Sequence, residues 1–205
     1  MADTSGTNRT SVDMLGLSEG SEGEAAGASK PAASPAWTVD DEFISYLHKV
    51  EGGEQHRRGG RWYPYNTDGA GKWTIGRGHL INGGESPKGF EDGLSDEEVE
   101  QLFKEDVIEA ATNARNAVGP DVFDALPQKD RQLFTDFSFN LGPEWSKKFP
   151  KMADAVLRGD RETALAESKR FKTDPAGNTS PLKDRNDQTS RFFFGVEPTE
   201  GEPLP

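Results

Sequence analysis

The 205-residue chain has no cysteine. That excludes a disulfide framework, a zinc ribbon and a thiol nucleophile, and it leaves the redox compartment open. Nothing in it approaches 18 consecutive apolar residues, so no helical membrane span is expected. Met1 to Thr10 lack the basic-then-apolar pattern of a secretory signal peptide. Basic residues are in deficit, 24 Lys and Arg against 36 Asp and Glu, for a net charge of −12. A chain that acidic is poorly suited to binding nucleic acid. Aromatic residues are missing from one stretch in particular. The first 36 residues contain none, and every Phe, Trp and Tyr falls between Trp37 and Phe194.

That absence divides the chain. A segment of Ala, Ser, Gly and Glu ending in Pro31-Ala-Ala-Ser-Pro35 cannot bury enough apolar surface to offset its ordering entropy. Residues 1–36 are therefore expected to be a disordered leader, 37–195 a single domain, and 196–205, rich in Pro and Glu, a second loose end.

Within the domain the pattern is helical with one small β region, an α+β arrangement. Thr38 is placed to cap a first helix, Phe43, Leu47 and Val50 recur at helical spacing, and Gly52-Gly53 stops it. Between Gly59 and Gly84, Trp62, Tyr63, Tyr65, Trp73, Thr74 and Ile75 favour strands. Asn66-Thr-Asp-Gly69 supplies the turn between them, and a third short strand is expected near His79-Leu-Ile81. Ser95 with Glu98 forms a capping box, opening a long amphipathic helix that ends at Gly119-Pro120. Three or four shorter helices should follow. One opens at Pro127 and closes at Gly142-Pro143, one spans about 151–158, one is capped by Asp160, and the last runs from about Leu182 to Phe194.

The chemistry converges on the β region. Glu51 closes the first helix, Asp68 sits in the hairpin turn, and Thr74 lies on the strand that follows. A hairpin can carry Asp68 back over the helix end that presents Glu51. Two carboxyls facing across a cleft suit glycosidic cleavage: one holds a proton for the leaving oxygen while the other stays ionised. The negative end of a helix disfavours a carboxylate and raises the pKa of Glu51, whereas a turn rich in backbone N–H donors favours ionised Asp68. The plainer alternative is an Asp that merely forms its turn.

The stretches Val50-Glu-Gly52 and Asp68-Gly-Ala-Gly-Lys-Trp-Thr74-Ile-Gly-Arg-Gly-His79 closely resemble the signatures of phage-type lysozymes, glycoside hydrolase family 24. The resemblance continues through Ser95–Val107, Phe137–Gly142, Leu182–Arg185 and Arg191–Gly195, and so covers about 43–195. It implies a lysozyme-like fold and a muramidase that cuts the β(1→4) bond between N-acetylmuramic acid and N-acetylglucosamine with inversion. In that mechanism Glu51 is the general acid, Asp68 positions or activates water, and Thr74 helps hold it. His79 has a structural role, and Arg185 is a basic residue approaching the acid from the last helix. No metal or organic cofactor is implied. The implied partner is the glycan strand of peptidoglycan, with the domain monomeric. The leader would tether the domain to virion tail proteins, or the enzyme would be free and released at lysis; either way it acts on the host cell wall in the periplasm.

One departure is clear. Sixteen residues, Gly52 to Thr67, separate Glu51 from Asp68, a longer spacing than is usual in the family. They include Glu54, a rival carboxylate, and Trp62, expected to stack on a sugar from the wall of the cleft. A solvated loop is the alternative for this insertion. Two other functions remain open on the residues alone: a lytic transglycosylase, which would not need Asp68 and Thr74, and a catalytically silent wall-binding or virion structural protein.

Overall fold

The computed structural model describes residues 39–66, 72–174 and 176–198. Both the expected leader and the turn that carries Asp68 lie outside the described residues, as does the end of the expected tail.

Helix α1 spans Asp41–Glu51. Its cap is Asp40, whose side chain accepts from the Phe43 N–H at 2.7 Å, and not Thr38 two residues earlier. At the other end, Gly52 closes the helix by donating its N–H to the His48 carbonyl at 3.1 Å. Four short strands follow. β1 (Arg57–Arg58) pairs antiparallel with β2 (Arg61–Trp62), and β3 (Thr74–Ile75) pairs antiparallel with β4 (His79–Leu80). Tyr65 and Thr74 exchange backbone hydrogen bonds at 2.8 and 2.9 Å, so Thr74 lies between Tyr65 and Leu80. The expected hairpin and third strand are thus present in shortened form, and the insertion after Glu51 builds a hairpin of its own.

The long helix α2 runs over Asp96–Val118 with the Ser95–Glu98 capping box formed in both directions. Then come α3 (Pro120–Ala125), α4 (Gln128–Leu141), α5 (Trp145–Lys148), α6 (Pro150–Leu157) and α7 (Arg161–Glu167). Asp160 caps α7 by accepting from the Thr163 N–H at 3.1 Å. A strand pair not anticipated from the sequence, β5 (Phe171–Thr173) with β6 (Thr179–Pro181), leads into α8 (Lys183–Thr189), which widens into a π-turn at Ser190–Phe194. Among the described residues, eight α-helices with three short antiparallel strand pairs fit the α+β class read from the sequence.

Two apolar clusters hold these elements. The larger gathers Phe43 and Leu47 of α1, Phe103 and Val107 of α2, Phe134 and Phe137 of α4, and Trp145, Met152 and Phe193. The smaller packs Trp62, Ile75 and Ile81 against Val99. α2 contributes to both and lies chiefly against α4. α1 closes on the π-turn that follows α8: the Tyr46 ring stacks on Phe192 with centroids 4.4 Å apart and meets Phe193 edge-on at 5.0 Å. The first helix is therefore part of the C-terminal helical core, while the β region begins at its last residue.

Candidate active site

Glu51 stands where those two parts meet. Gly53, just beyond it, has φ +98°, and a Cβ there would lie 2.6 Å from the Gly76 carbonyl oxygen. Only glycine lets the end of α1 approach the β3–β4 turn so closely. Arg77, from that turn, closes the contact by donating from Nη1 to the Gly52 carbonyl at 3.0 Å. The turn also runs beside the carboxyl: a Cβ on Gly78 would stand 4.0 Å from Glu51 Oε2, in ordinary contact with it.

The other carboxyl oxygen faces the helical core. Glu51 Oε1 is 2.8 Å from Arg185 Nη2, so α8 brings a guanidinium to the Glu51 carboxyl. The Glu51 side chain is 17% exposed. Burial raises its pKa above the usual carboxylate value and outweighs the opposing pull of the Arg185 guanidinium; buried Asp136 adds to the rise. Desolvation, and not the helix end expected from the sequence, is the largest cause of that rise.

Thr74 is half-buried on β3 beside Tyr65, whose hydroxyl is raised in pKa by burial and by the negative charge of Glu51. Asp68 lies outside the described residues. Glu54, the rival carboxylate, is 61% exposed and paired with Arg77 Nη1 at 2.8 Å. What burial it has raises its pKa, but hydrogen bonds from its own backbone and from Arg77 bring the net value down, the wrong direction for a proton donor. His79 Nδ1 is 3.0 Å from both oxygens of Asp106 on α2, a structural tie between the β region and the long helix.

Trp62 is not placed to stack on a sugar. Its side chain belongs to the smaller core and the residue is only 4% exposed. The indole N–H donates to Asp96 Oδ1 at 2.8 Å, and the Arg77 guanidinium lies 5.3 Å from the ring centroid. Arg57 grips the same Asp96 with two hydrogen bonds, of 2.8 and 2.5 Å. The insertion is thus stapled to the first turn of α2, and the tryptophan is its anchor. A large aromatic next to a strand signal reads equally as core or as platform, and the sequence held nothing to separate them.

Three charged residues around Glu51 were missed in the sequence: Arg77, Asp136 on α4, and Arg170 just before β5, whose positive charge lowers the Glu51 pKa. The signal for Asp136 was present. It stands among Leu133, Phe134 and Phe137 in the buried middle of α4, and a charge in that position needs a buried partner.

The phage lysozyme family model matches residues 56–188 of this chain. The chain belongs to the phage lysozyme family. The matched stretch takes in Asp68, Thr74 and Arg185 and starts five residues after Glu51. Among solved structures, the muramidase domain of SpmX from Asticaccaulis excentricus matches with a TM-score of 0.57 and 19% identity, over 76% of this chain and 97% of that one. At that identity the likeness is one of fold. No curated protein matches the chain.

Proposed function

We propose that this chain is a peptidoglycan hydrolase, a muramidase that cuts the β(1→4) bond between N-acetylmuramic acid and N-acetylglucosamine with inversion at the sugar carbon. One observation carries the reading. A carboxyl, most of its surface buried and its pKa raised, ends a helix beside the β3–β4 turn of a phage lysozyme domain. In the proposed reaction protonated Glu51 gives its proton to the leaving oxygen. Water, activated by Asp68 and held by Thr74, attacks the sugar carbon from the opposite face. Asp68 takes the proton of that water, and solvent restores both groups. Arg185 steadies the Glu51 carboxylate that remains after transfer. The reaction as drawn uses no metal or cofactor. Among the described residues no helix is long and apolar enough to cross a membrane. The proposed place of action is the wall of a bacterial host, reached from a virion or by release at lysis.

Product chemistry tests it. Inversion requires a water between the two carboxyls, which then stand roughly 6.5–9.5 Å apart. Proton NMR during the first turnovers on purified peptidoglycan is expected to show new reducing ends as the α-anomer. Initial β-anomer would mean retention, and anhydro-muramic ends would mean a transglycosylase.

A further inference from the structure

The most deeply buried charges in the described residues stand directly behind Glu51. Asp136 on α4 is fully buried and Arg170, just before β5, is 1% exposed. Arg185 Nη2, the nitrogen next to Glu51, also donates to Asp136 Oδ1 at 3.0 Å. The second oxygen of Asp136 pairs with Arg170 Nη2. Arg170 is itself held firmly. Its Nη2 donates to Thr189 Oγ1 at 3.1 Å, its Nη1 to Asn140 Oδ1 at 3.3 Å, and its guanidinium lies 4.1 Å from the centroid of Phe137. Its backbone N–H donates to Asn186 Oδ1 at 2.9 Å, and Asn186 Nδ2 returns a bond to the Arg170 carbonyl at 3.0 Å. The result is a line of alternating charge, Arg170, Asp136, Arg185, Glu51.

As a device for stability this line is a poor choice. Apolar side chains of similar volume commonly do as well as a buried ion pair or better. Its geometry suits the acid instead. An arginine free to choose presents its fork to a carboxylate with two parallel bonds, the arrangement that most favours the ionised form. Arg185 does not do so. One nitrogen, Nη2, donates its hydrogen bond to Asp136 and stands 2.8 Å from Glu51 Oε1 as an ion pair without hydrogen-bond geometry, and Nε has no hydrogen-bond partner.

We propose that Asp136 and Arg170 are positioning residues for the acid: Arg170 fixes Asp136, and Asp136 holds Arg185 so that its Nη2 is shared, which leaves Glu51 able to carry the proton it delivers. The inference rests on the reading of Glu51 as general acid. The described groups that face Glu51 are Arg185 from α8, Asp136 from α4, Arg170 and, from the β region, Tyr65. Removing the negative charge at Asp136 gives Arg185 wholly to Glu51 and stabilises its carboxylate. Removing the positive charge at Arg170 leaves Asp136 to draw Arg185 away and favours the protonated form.

The test uses the full chain with the substitutions Asp136→Asn, Arg170→Met and both together. Two readouts are taken: carbon NMR titration of the Glu51 carboxyl, and the pH profile of kcat/KM on purified peptidoglycan. Asp136→Asn is expected to move the Glu51 titration and the alkaline limb of the profile to lower pH, and Arg170→Met to move both to higher pH. Above the pKa of the acid its protonated fraction falls tenfold per pH unit, so on the alkaline limb a downward move of about one unit lowers activity about tenfold. A role in packing alone, without the two charges acting on Glu51, does not produce opposite shifts from two neighbouring substitutions. Should a single variant fail to fold, the double variant removes both members of the buried pair and leaves no charge newly unpaired. Its titration is expected below wild type, by less than for Asp136→Asn, because Asp136 is the nearer charge. Shifts in the same direction, or an unmoved Glu51 titration in the folded double variant, overturn the proposal. Undiminished activity in Glu51→Gln would instead overturn the reading of Glu51 as the acid, and the NMR titration stands apart from that outcome.

Discussion

Glu51→Gln keeps the shape of the side chain and removes its proton. If Glu51 is the acid, clearing of cell walls in a turbidity assay is expected to fall by about 10²–10⁴-fold. Stability should move the other way. A carboxyl whose pKa is raised by folding costs stability once pH climbs from its unfolded pKa through the folded one, because the folded state resists ionisation. The amide carries no such cost, and Arg185 keeps Asp136 as a partner. The melting temperature of Glu51→Gln at pH 7 is therefore expected to equal or exceed wild type; a marked drop would show that the Glu51–Arg185 pair is primarily structural. His79 gives the opposite pH signature. Its hydrogen bond to Asp106 raises its pKa above 6.5 despite the opposing effect of burial. That stabilisation is full below the unfolded pKa and is lost as pH rises through the folded one. Asp106→Asn should cost roughly 1–2 kcal/mol at pH 5 and clearly less at pH 9, measured by urea unfolding. Equal losses at both pH values would remove the charge from the account. At this scale Glu51 and Arg185 could be read from the sequence, because each sits in a motif of neighbours. Asp136 and Arg170 could not be paired in advance, since 34 positions separate them and only the packing of α4 on the C-terminal segment joins them.

The end of α1 shows what a single element contributes. Its stop was legible as Gly52-Gly53, yet nothing local disclosed that Gly53 faces the carbonyl of Gly76. Gly53→Ala combines a positive φ with a 2.6 Å contact to backbone, a strain of about 1–3 kcal/mol. It is expected to lower the melting temperature and to reduce activity beyond the loss of folded protein, because relief moves the turn away from Glu51. Wild-type kcat in the folded fraction would show that the approach of the two turns does not set the acid. The long helices α2 and α4 were readable because many residues repeat the same period. The β5–β6 pair was not: each strand has three exposed residues, with Pro181 in one of them, and neither an apolar face nor alternation marks it. The insertion hairpin was legible as an insertion only. Its attachment to α2 through Asp96 depends on Arg57 and Trp62 arriving together, a tertiary fact.

Over the whole molecule charge is the dominant property. A net −12 opposes approach to an anionic wall, and the opposition is long-ranged until salt screens it. Raising sodium chloride from about 10 to about 150 mM shortens the screening length from about 30 to about 8 Å. The initial rate on intact walls is expected to rise several-fold over that range, with little change on short uncharged glycan fragments. A rate that falls with salt on intact walls would point to a local attractive patch stronger than the net charge. The fold class was legible from the order of helical and strand signals. The closure of the first helix on the last was not, because Tyr46 and Thr189, whose hydroxyls lie 3.2 Å apart, are 143 positions distant in the chain.

That closure bears on how the protein is made. Phe43 and Tyr46 leave the ribosome early, but the rings that cover them, Phe192 and Phe193, are among the last of the domain to be synthesised. Arg185, which meets Glu51, comes almost as late. During translation α1 has no completed core to join, and Glu51 stands without its cation. The nascent chain therefore passes most of its synthesis without an assembled site, and assembly awaits the final helix.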